Sequence, residues 1–190
     1  YPDETVDPFF LLSQVIVGLN GVVSRRIDPF DPAVVSIGQI HGGFTENVIP
    51  EKVELSGTMR FTSEAARLKL EAEMRRAFEL THALGGDYQL KFVFGCPPLV
   101  NHASAANLIH TTAVALLGAD NVHPIPPTLG AEDFGAFIET VPGAMFTLGT
   151  LIEGDERTLH HPRFDIDEHA MPIGTALLAE TALRFLRGHN

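Results

Sequence analysis

Hydrophobic and polar positions change period several times along the chain, and each change predicts an element. Val6-Asp7-Pro8 offers a helix start, with Asp7 as the cap and Pro8 in the first helical position, where a missing N–H costs nothing. Apolar residues then recur on a helical repeat through about Ile27. After the turn-rich Asp28-Pro29-Phe30-Asp31-Pro32, the β-branched run Ala33 to Ile40 predicts a strand closed by Gly42-Gly43. From Lys52 to Phe61 the period is two: Val53, Leu55, Met59 and Phe61 fall on one side, and Glu54, Ser56, Thr58 and Arg60 on the other. That is a half-buried strand. Ser63 to Leu84, with Glu64 in its first turn, basic residues towards its end and Gly85-Gly86 as a stop, predicts a second amphipathic helix. Asp87 to Phe94 alternates again and fits a third strand.

The order helix, strand, strand, helix, strand is the split βαβ, ferredoxin-like pattern without its first strand. In the complete motif that strand lies inside the sheet, so its partner strands would be left with unpaired backbone. The expectation is that the missing strand precedes Tyr1. Beyond Cys96-Pro97-Pro98 the pattern predicts a helix at about Ala103 to Leu117, a short segment Asn121 to Ile125 and a helix opening near Ala131. A strand at Ala144 to Leu148, a polar loop to Asp167 and a last helix from about Ala170 to Arg187 complete it. This alternation reads as the tail of an α/β layer, with a boundary near residues 95–102.

Composition narrows the function classes. Among 190 residues, 13 Lys and Arg face 24 Asp and Glu, a net charge of −11. Nucleic acids and anionic membranes are held chiefly by clustered basic residues, so neither is an expected partner. With 45% hydrophobic and 19% charged residues the chain can bury a core. Cys96 is the only cysteine, which excludes an intramolecular disulfide framework. The first residues lack the basic-then-apolar pattern of a signal peptide, and Asn20, Arg25 and Asp28 interrupt the longest apolar run, so a cytoplasmic setting is expected. The chain does not begin with Met, which fits a start within a longer polypeptide.

Nine histidines raise the question of a metal. His82, His110 and His189 sit on or beyond predicted helices, where surface or packing roles suffice. His160-His161-Pro162 lies in a polar loop after Glu153, Asp155 and Glu156 and before Asp165 and Asp167, where a neutral imidazole can ligate a divalent ion. The same spacing also fits a solvated acidic loop. No second His stands at ligand spacing on a shared helical turn, so the chain does not complete an obvious site by itself. Glu132 and Asp133 follow Gly130-Ala131 at a helix start, where they compensate the helix dipole or orient a ligand. Asn47 reads as a turn residue and Arg60 as a strand-face cation that could hold a carboxylate in a bidentate pair.

Taken together, several segments resemble the M20 metallopeptidase and amidohydrolase family, in particular the N-acyl-amino-acid amidohydrolases that include hippurate hydrolases and auxin-conjugate hydrolases. The resemblance is carried by Pro2 with Thr5-Val6-Asp7-Pro8, Asn47-Val48-Ile49-Pro50, Gly57-Thr58-Met59-Arg60 and Pro97-Pro98 with Asn101. It continues through Gly130-Ala131-Glu132-Asp133-Phe134, Val141-Pro142-Gly143-Ala144, Leu148-Gly149 and Leu159-His160-His161-Pro162-Arg163-Phe164-Asp165. It implies a ferredoxin-like lid or dimerisation domain over residues 1–98, and the C-terminal part of a zinc-peptidase-like α/β catalytic domain over residues 99–190. His160 matches the metal-ligating histidine of the family's C-terminal motif, with His161 standing where Ser is usual. Asn47 and Arg60 match the lid residues that hold the substrate carboxylate and amide, and Glu132 and Asp133 the acidic motif near the metals. Asp3 stands where His is common.

The resemblance further implies two divalent ions per complete site (zinc, manganese, cobalt or nickel), an N-acyl amino acid as substrate and a homodimer formed through the lid. The other metal ligands, the catalytic Glu and a His contributed across the dimer would all lie upstream of Tyr1. This chain is therefore expected to hydrolyse nothing alone. Two other readings stay open: a non-catalytic module that dimerises through a sheet edge such as Ala33 to Ile40, and an M20 dipeptidase or deacylase of different specificity.

Overall fold

The computed structural model describes residues 1–155 and 157–188; Glu156 and His189, both named above, lie outside the described residues. The chain forms two compact units. One comprises Tyr1–Pro98 with Pro127–Glu132, the other Leu99–Pro126 with the residues from Asp133 onward.

In the first unit α1 (Pro8–Arg26) begins as its sequence dictates, with Pro8 in the first turn and the Asp7 carboxylate accepting the Phe9 N–H at 2.8 Å. β1 (Ala33–Gly42) and β2 (Val53–Phe61) pair antiparallel through the loop of residues 43–52. The ladder runs from Ala33 opposite Phe61 to Gly42 opposite Val53, with one irregularity between Ile37 and Gln39. That irregularity makes Gly38 an extra residue, a bulge that keeps Gln39 opposite Ser56 on the outer face. Beside it the strands approach closely. A Cβ on Gly57 would stand 2.2 Å from the Ser36 carbonyl oxygen, so only glycine fits there.

The inner face of the sheet carries the core. Val15, Leu19 and Ala77 pack with Ile37, Leu55 and Phe78; Val22, Ile27 and Leu70 pack with Val35, Met59 and Phe61. Leu70 and Val15 are wholly buried, each contributing about 1.5–3 kcal/mol by leaving water. α1 is long and apolar enough to cross a bilayer, so Asn20 and Arg25 do not interrupt the run as the sequence suggests. Its Leu11, Val15, Leu19 and Val22 stripe is nevertheless spent on this core.

The predicted helix Ser63 to Leu84 is split. α2 (Glu64–Phe78) is capped by the Ser63 hydroxyl, which accepts from Ala66 N–H at 3.1 Å, and a separate turn α3 (Leu80–Ala83) follows. The break has a local cause: the Thr81 hydroxyl donates to the Phe78 carbonyl at 2.8 Å, and the chain then reverses at Gly85, whose φ is +86°.

Asp87 to Phe94 is a correction to the predicted third strand. The alternation is real, with Tyr88, Leu90 and Phe92 half-buried and Gln89, Lys91 and Val93 exposed. The Arg67 and Arg75 guanidiniums of α2 lie over the Phe94 and Phe92 rings at 4.7 and 5.0 Å. Yet among the described residues β1 and β2 pair only with each other, so this extended segment has no ladder. A strand is defined by its partner, and none pairs with it among the described residues.

The second unit packs α4 (Ala103–Leu117) against α6 (Ala170–Leu186), burying Leu108, Thr112 and Ala113 from one and Ala170, Gly174 and Leu177 from the other. The buried Thr112 hydroxyl is satisfied by the Leu108 carbonyl at 2.8 Å. α5 (Phe134–Ile138) starts three residues later than the predicted opening near Ala131, and Ala119–Asn121 forms a single 3₁₀ turn. The expected strand Ala144 to Leu148 is again absent as a ladder among the described residues, so this unit is helical with extended connections rather than a visible α/β layer. α6 leaves Met171, Leu178, Phe185 and Leu186 exposed.

Candidate functional site

The candidate residues fall on both units. Arg60 sits near the end of β2 opposite Val34, half-buried, with its Nη1 donating to the Met59 carbonyl at 3.1 Å. No carboxylate pairs with it among the described residues, so its remaining donors are uncommitted. Asn47 is exposed in the loop joining the other ends of the strands, where the Thr45 hydroxyl lies 3.2 Å from its Oδ1 and 3.3 Å from Glu46 Oε2. The two strand ends that carry them are about 23 Å apart at the pleated rise of β2. The structure gives no contact between the two side chains.

Glu132 is half-buried and ends the segment grouped with the first unit; Asp133, exposed, caps α5 through its backbone, its carbonyl accepting from Ala136 N–H at 3.0 Å. The division between the units falls between them.

His160 occupies the third position of a tight turn closed by the His161 N–H on the Thr158 carbonyl at 3.1 Å. Its φ is +70°, the only positive value at a non-glycine among the described residues. A left-handed backbone is uncommon for a residue with a Cβ, and such positions concentrate where function holds a side chain in place. The ring is exposed and has no hydrogen-bond or ion-pair partner among the described residues. His161 differs: its Nδ1 accepts the Arg163 N–H at 3.1 Å, so that nitrogen is already used inside the loop.

Three carboxylates of the loop, Asp155, Asp165 and Asp167, have partners within it. Asp155 takes the Arg157 Nε at 2.7–2.8 Å, its Nη2, and its backbone N–H at 2.9 Å, while Arg157 Nη1 also donates to the Arg163 carbonyl. The Arg157 hydrogen bonds hold the Asp155 carboxyl down at about 2, against 3.8 ordinarily. Asp167 is likewise held low, first by the backbone N–H of His169 and then by its ring. Asp165 accepts the Ile166 N–H at 2.9 Å. This brace was missed in the sequence, although an Asp and an Arg two residues apart in a polar loop was its available signal.

Tested as a metal centre, the loop offers a free imidazole and little else. Among the described residues no group of three or more His, Cys, Asp or Glu side chains gathers in a way that could hold an ion. A divalent ion needs several converging donors, so these residues do not complete a coordination sphere.

A family model described as Peptidase family M20/M25/M40 matches residues 7–184. The chain is 36% identical to N-acetyl-L-cysteine deacetylase of Bacillus subtilis over 190 residues, covering 97% of this chain and 44% of that protein. It is 34% identical over 188 residues to thermostable carboxypeptidase 2 of Saccharolobus solfataricus, covering 97% of this chain and 47% of that one. The crystal structure of the Bacillus subtilis YXEP protein, a dinuclear metal binding peptidase from the M20 family, matches at a TM-score of 0.79 and 31% identity. That match covers 96% of this chain and 47% of that one. The mixed α/β fold is therefore that of these peptidases, and the chain spans about half the length of the relatives it matches.

Proposed function

Because the chain belongs to peptidase family M20/M25/M40, we propose that it is the C-terminal portion of a metal-dependent amidohydrolase that cleaves the amide bond of N-acyl amino acids, hippurate-like compounds among them. Residues 1–98 act as a ferredoxin-like lid that also forms a homodimer, and residues 99–190 as the end of the catalytic domain. The observation that carries this reading is His160: an exposed imidazole without a partner among the described residues, held at a left-handed φ in a loop where Asp155, Asp165 and Asp167 are already bonded. A side chain with no partner on a costly backbone is explained by a ligand the loop is shaped to meet.

In this role His160 would hold one of two divalent ions, with the other donors contributed by polypeptide outside this chain. Such a centre, when bound, activates water and polarises the scissile carbonyl. The chain's own contribution is to bind and orient. The uncommitted guanidinium of Arg60 suits a substrate carboxylate, and the exposed Asn47 amide can donate to a carbonyl or carboxylate oxygen. Glu132 and Asp133 would help orient a ligand or the substrate near such a centre. The extended 87–94 segment, which has no ladder among the described residues, and the exposed apolar residues of α6 support a reading in which further polypeptide packs on these surfaces.

Incubating the purified 190-residue chain with N-acyl amino acids and Zn²⁺, Mn²⁺, Co²⁺ or Ni²⁺ should give no turnover; hydrolysis by this chain alone would overturn the half-enzyme reading. In a longer polypeptide that joins an M20 N-terminal half to this chain, His160→Ala should abolish metal-dependent turnover and Arg60→Ala should raise KM. Undiminished activity of the His160 variant would remove the assignment.

A further inference from the structure

A second histidine, far along the chain from His160, holds an arrangement that the proposed hydrolysis does not use. His82, in α3, presents Nδ1 to the Glu79 carboxylate at 2.8 Å and Nε2 to the Asp87 carboxylate at 3.0 Å. Tyr88 lies against the same group: its hydroxyl donates to the other Glu79 oxygen at 2.5 Å, and its ring is 5.1 Å from His82 and 5.3 Å from Phe78. Four side chains thus join the end of the helical layer to the first residues of the extended segment 87–94. Because that segment has no ladder among the described residues, side chains fasten it: this cluster at one end, and the stacks of Arg75 on Phe92 and Arg67 on Phe94 beyond it.

We propose that His82 is a proton-operated clasp that ties the 87–94 segment to α3 when doubly protonated and slackens it when neutral. Stoichiometry requires this. Carboxylates only accept, and both ring nitrogens face one, so both must carry hydrogen. A neutral imidazole has a single N–H and leaves either Glu79 or Asp87 opposite a lone pair.

The charged groups facing the ring are Glu79 from the start of α3 and Asp87 from the segment, with Arg75 of α2 acting on neighbouring Tyr88. The Asp87 and Glu79 hydrogen bonds raise the His82 pKa above 6.5, and the His82 bond in turn lowers Asp87, as the Tyr88 and His82 bonds lower Glu79. A raised folded pKa gives stability fully present below the unfolded value of 6.5 and lost as pH rises through the folded one. The lowered carboxylates act in the opposite sense, losing their contribution only in acid. The clasp's contribution is therefore complete between the ordinary values of 4.5 for Glu79 and 6.5 for His82, and the clasp opens on the alkaline side as pH passes the raised His82 value.

The test is an NMR titration of the 190-residue chain from pH 5 to 9, following the His82 ring and the Tyr88–Phe94 amides, with exchange protection corrected for the intrinsic rate. The His82 midpoint should lie above 6.5, and segment protection should fall about two- to fivefold through the same midpoint, the size expected for one exposed ion pair. In His82→Gln the segment should show no such transition. In Asp87→Asn, which keeps the imidazole and the Tyr88 packing, the His82 midpoint should drop. A His82 midpoint at or below 6.5, or segment amides indifferent to it, overturns the proposal.

Discussion

The side chain of Asn101 pairs with the backbone of Met145 as a neighbouring strand would: its Nδ2 donates to the Met145 carbonyl at 2.8 Å and its Oδ1 accepts the Met145 N–H at 2.9 Å. Met145 lies in the extended stretch predicted as a strand, and the carboxamide supplies the two bonds that a ladder would have given. The same turn of chain is fixed again one residue on, where the His102 N–H donates to the Gly143 carbonyl at 2.9 Å.

Asn101→Ala should therefore destabilise the second unit by about 1–2 kcal/mol, the net value of two hydrogen bonds at an exposed position. Asn101→Asp should do worse than its size suggests, because a carboxylate oxygen would replace the donor and face the Met145 carbonyl. Urea unfolding with the slope held constant checks both; a silent Asn101→Asp would show that the stretch is held by other means.

The close approach at Gly57 makes a sharper prediction. Its Cβ would meet backbone, the Ser36 carbonyl at 2.2 Å, which cannot rotate aside, so Gly57→Ala should cost about 2–3 kcal/mol and disturb the register that places Arg60. Gly21, in the middle of α1, has nothing within 4 Å of its Cβ position. There Gly21→Ala should stabilise by about 0.5–1 kcal/mol, since alanine loses less backbone entropy on entering a helix. Thermal unfolding of the two variants should move in opposite directions.

These cases mark what the sequence makes legible. Asp7-Pro8 and Ser63 set helix starts through neighbours two or three residues away, so both starts are read correctly. The alternation over 87–94 matches the half-buried side chains, Tyr88, Leu90 and Phe92, but does not give the ladder, because hydrogen-bond partners are remote in sequence. Asn101 belongs to a recognisable motif, yet its bond to Met145 spans 44 positions and no local pattern announces it. At the candidate site, His160 is legible through its motif alone; its positive φ and the Arg157 brace depend on how the loop turns.

The brace itself predicts a pH response. The Asp155 carboxyl is held at about 2 by Arg157, so its contribution is present above the ordinary 3.8 and is lost as pH falls through about 2. Titration followed at the Asp155 carboxyl carbon should give a midpoint near 2 in the native chain and return towards the ordinary range in Arg157→Gln. Arg157→Lys should restore only part of the shift, because an ammonium cannot reproduce the forked contact to both oxygens. A midpoint unaffected by removing the guanidinium would mean that the brace does not hold the loop in solution.

The left-handed backbone at His160 allows the cost of its position to be separated from its use. Relieving a Cβ at φ +70° is worth about 1–2 kcal/mol, and the greater freedom of an unfolded glycine returns about 0.5–1 kcal/mol of that. His160→Gly should thus be at least as stable as the native chain. It should be about 1 kcal/mol more stable than His160→Ala, which keeps the Cβ and discards the imidazole. In the longer, metal-loaded polypeptide both substitutions should weaken retention of the divalent ion, measured by competition with a chelator. A chain that loses stability on His160→Gly would reveal an imidazole at work in the loop itself, and the ligand role proposed for it would lose its basis.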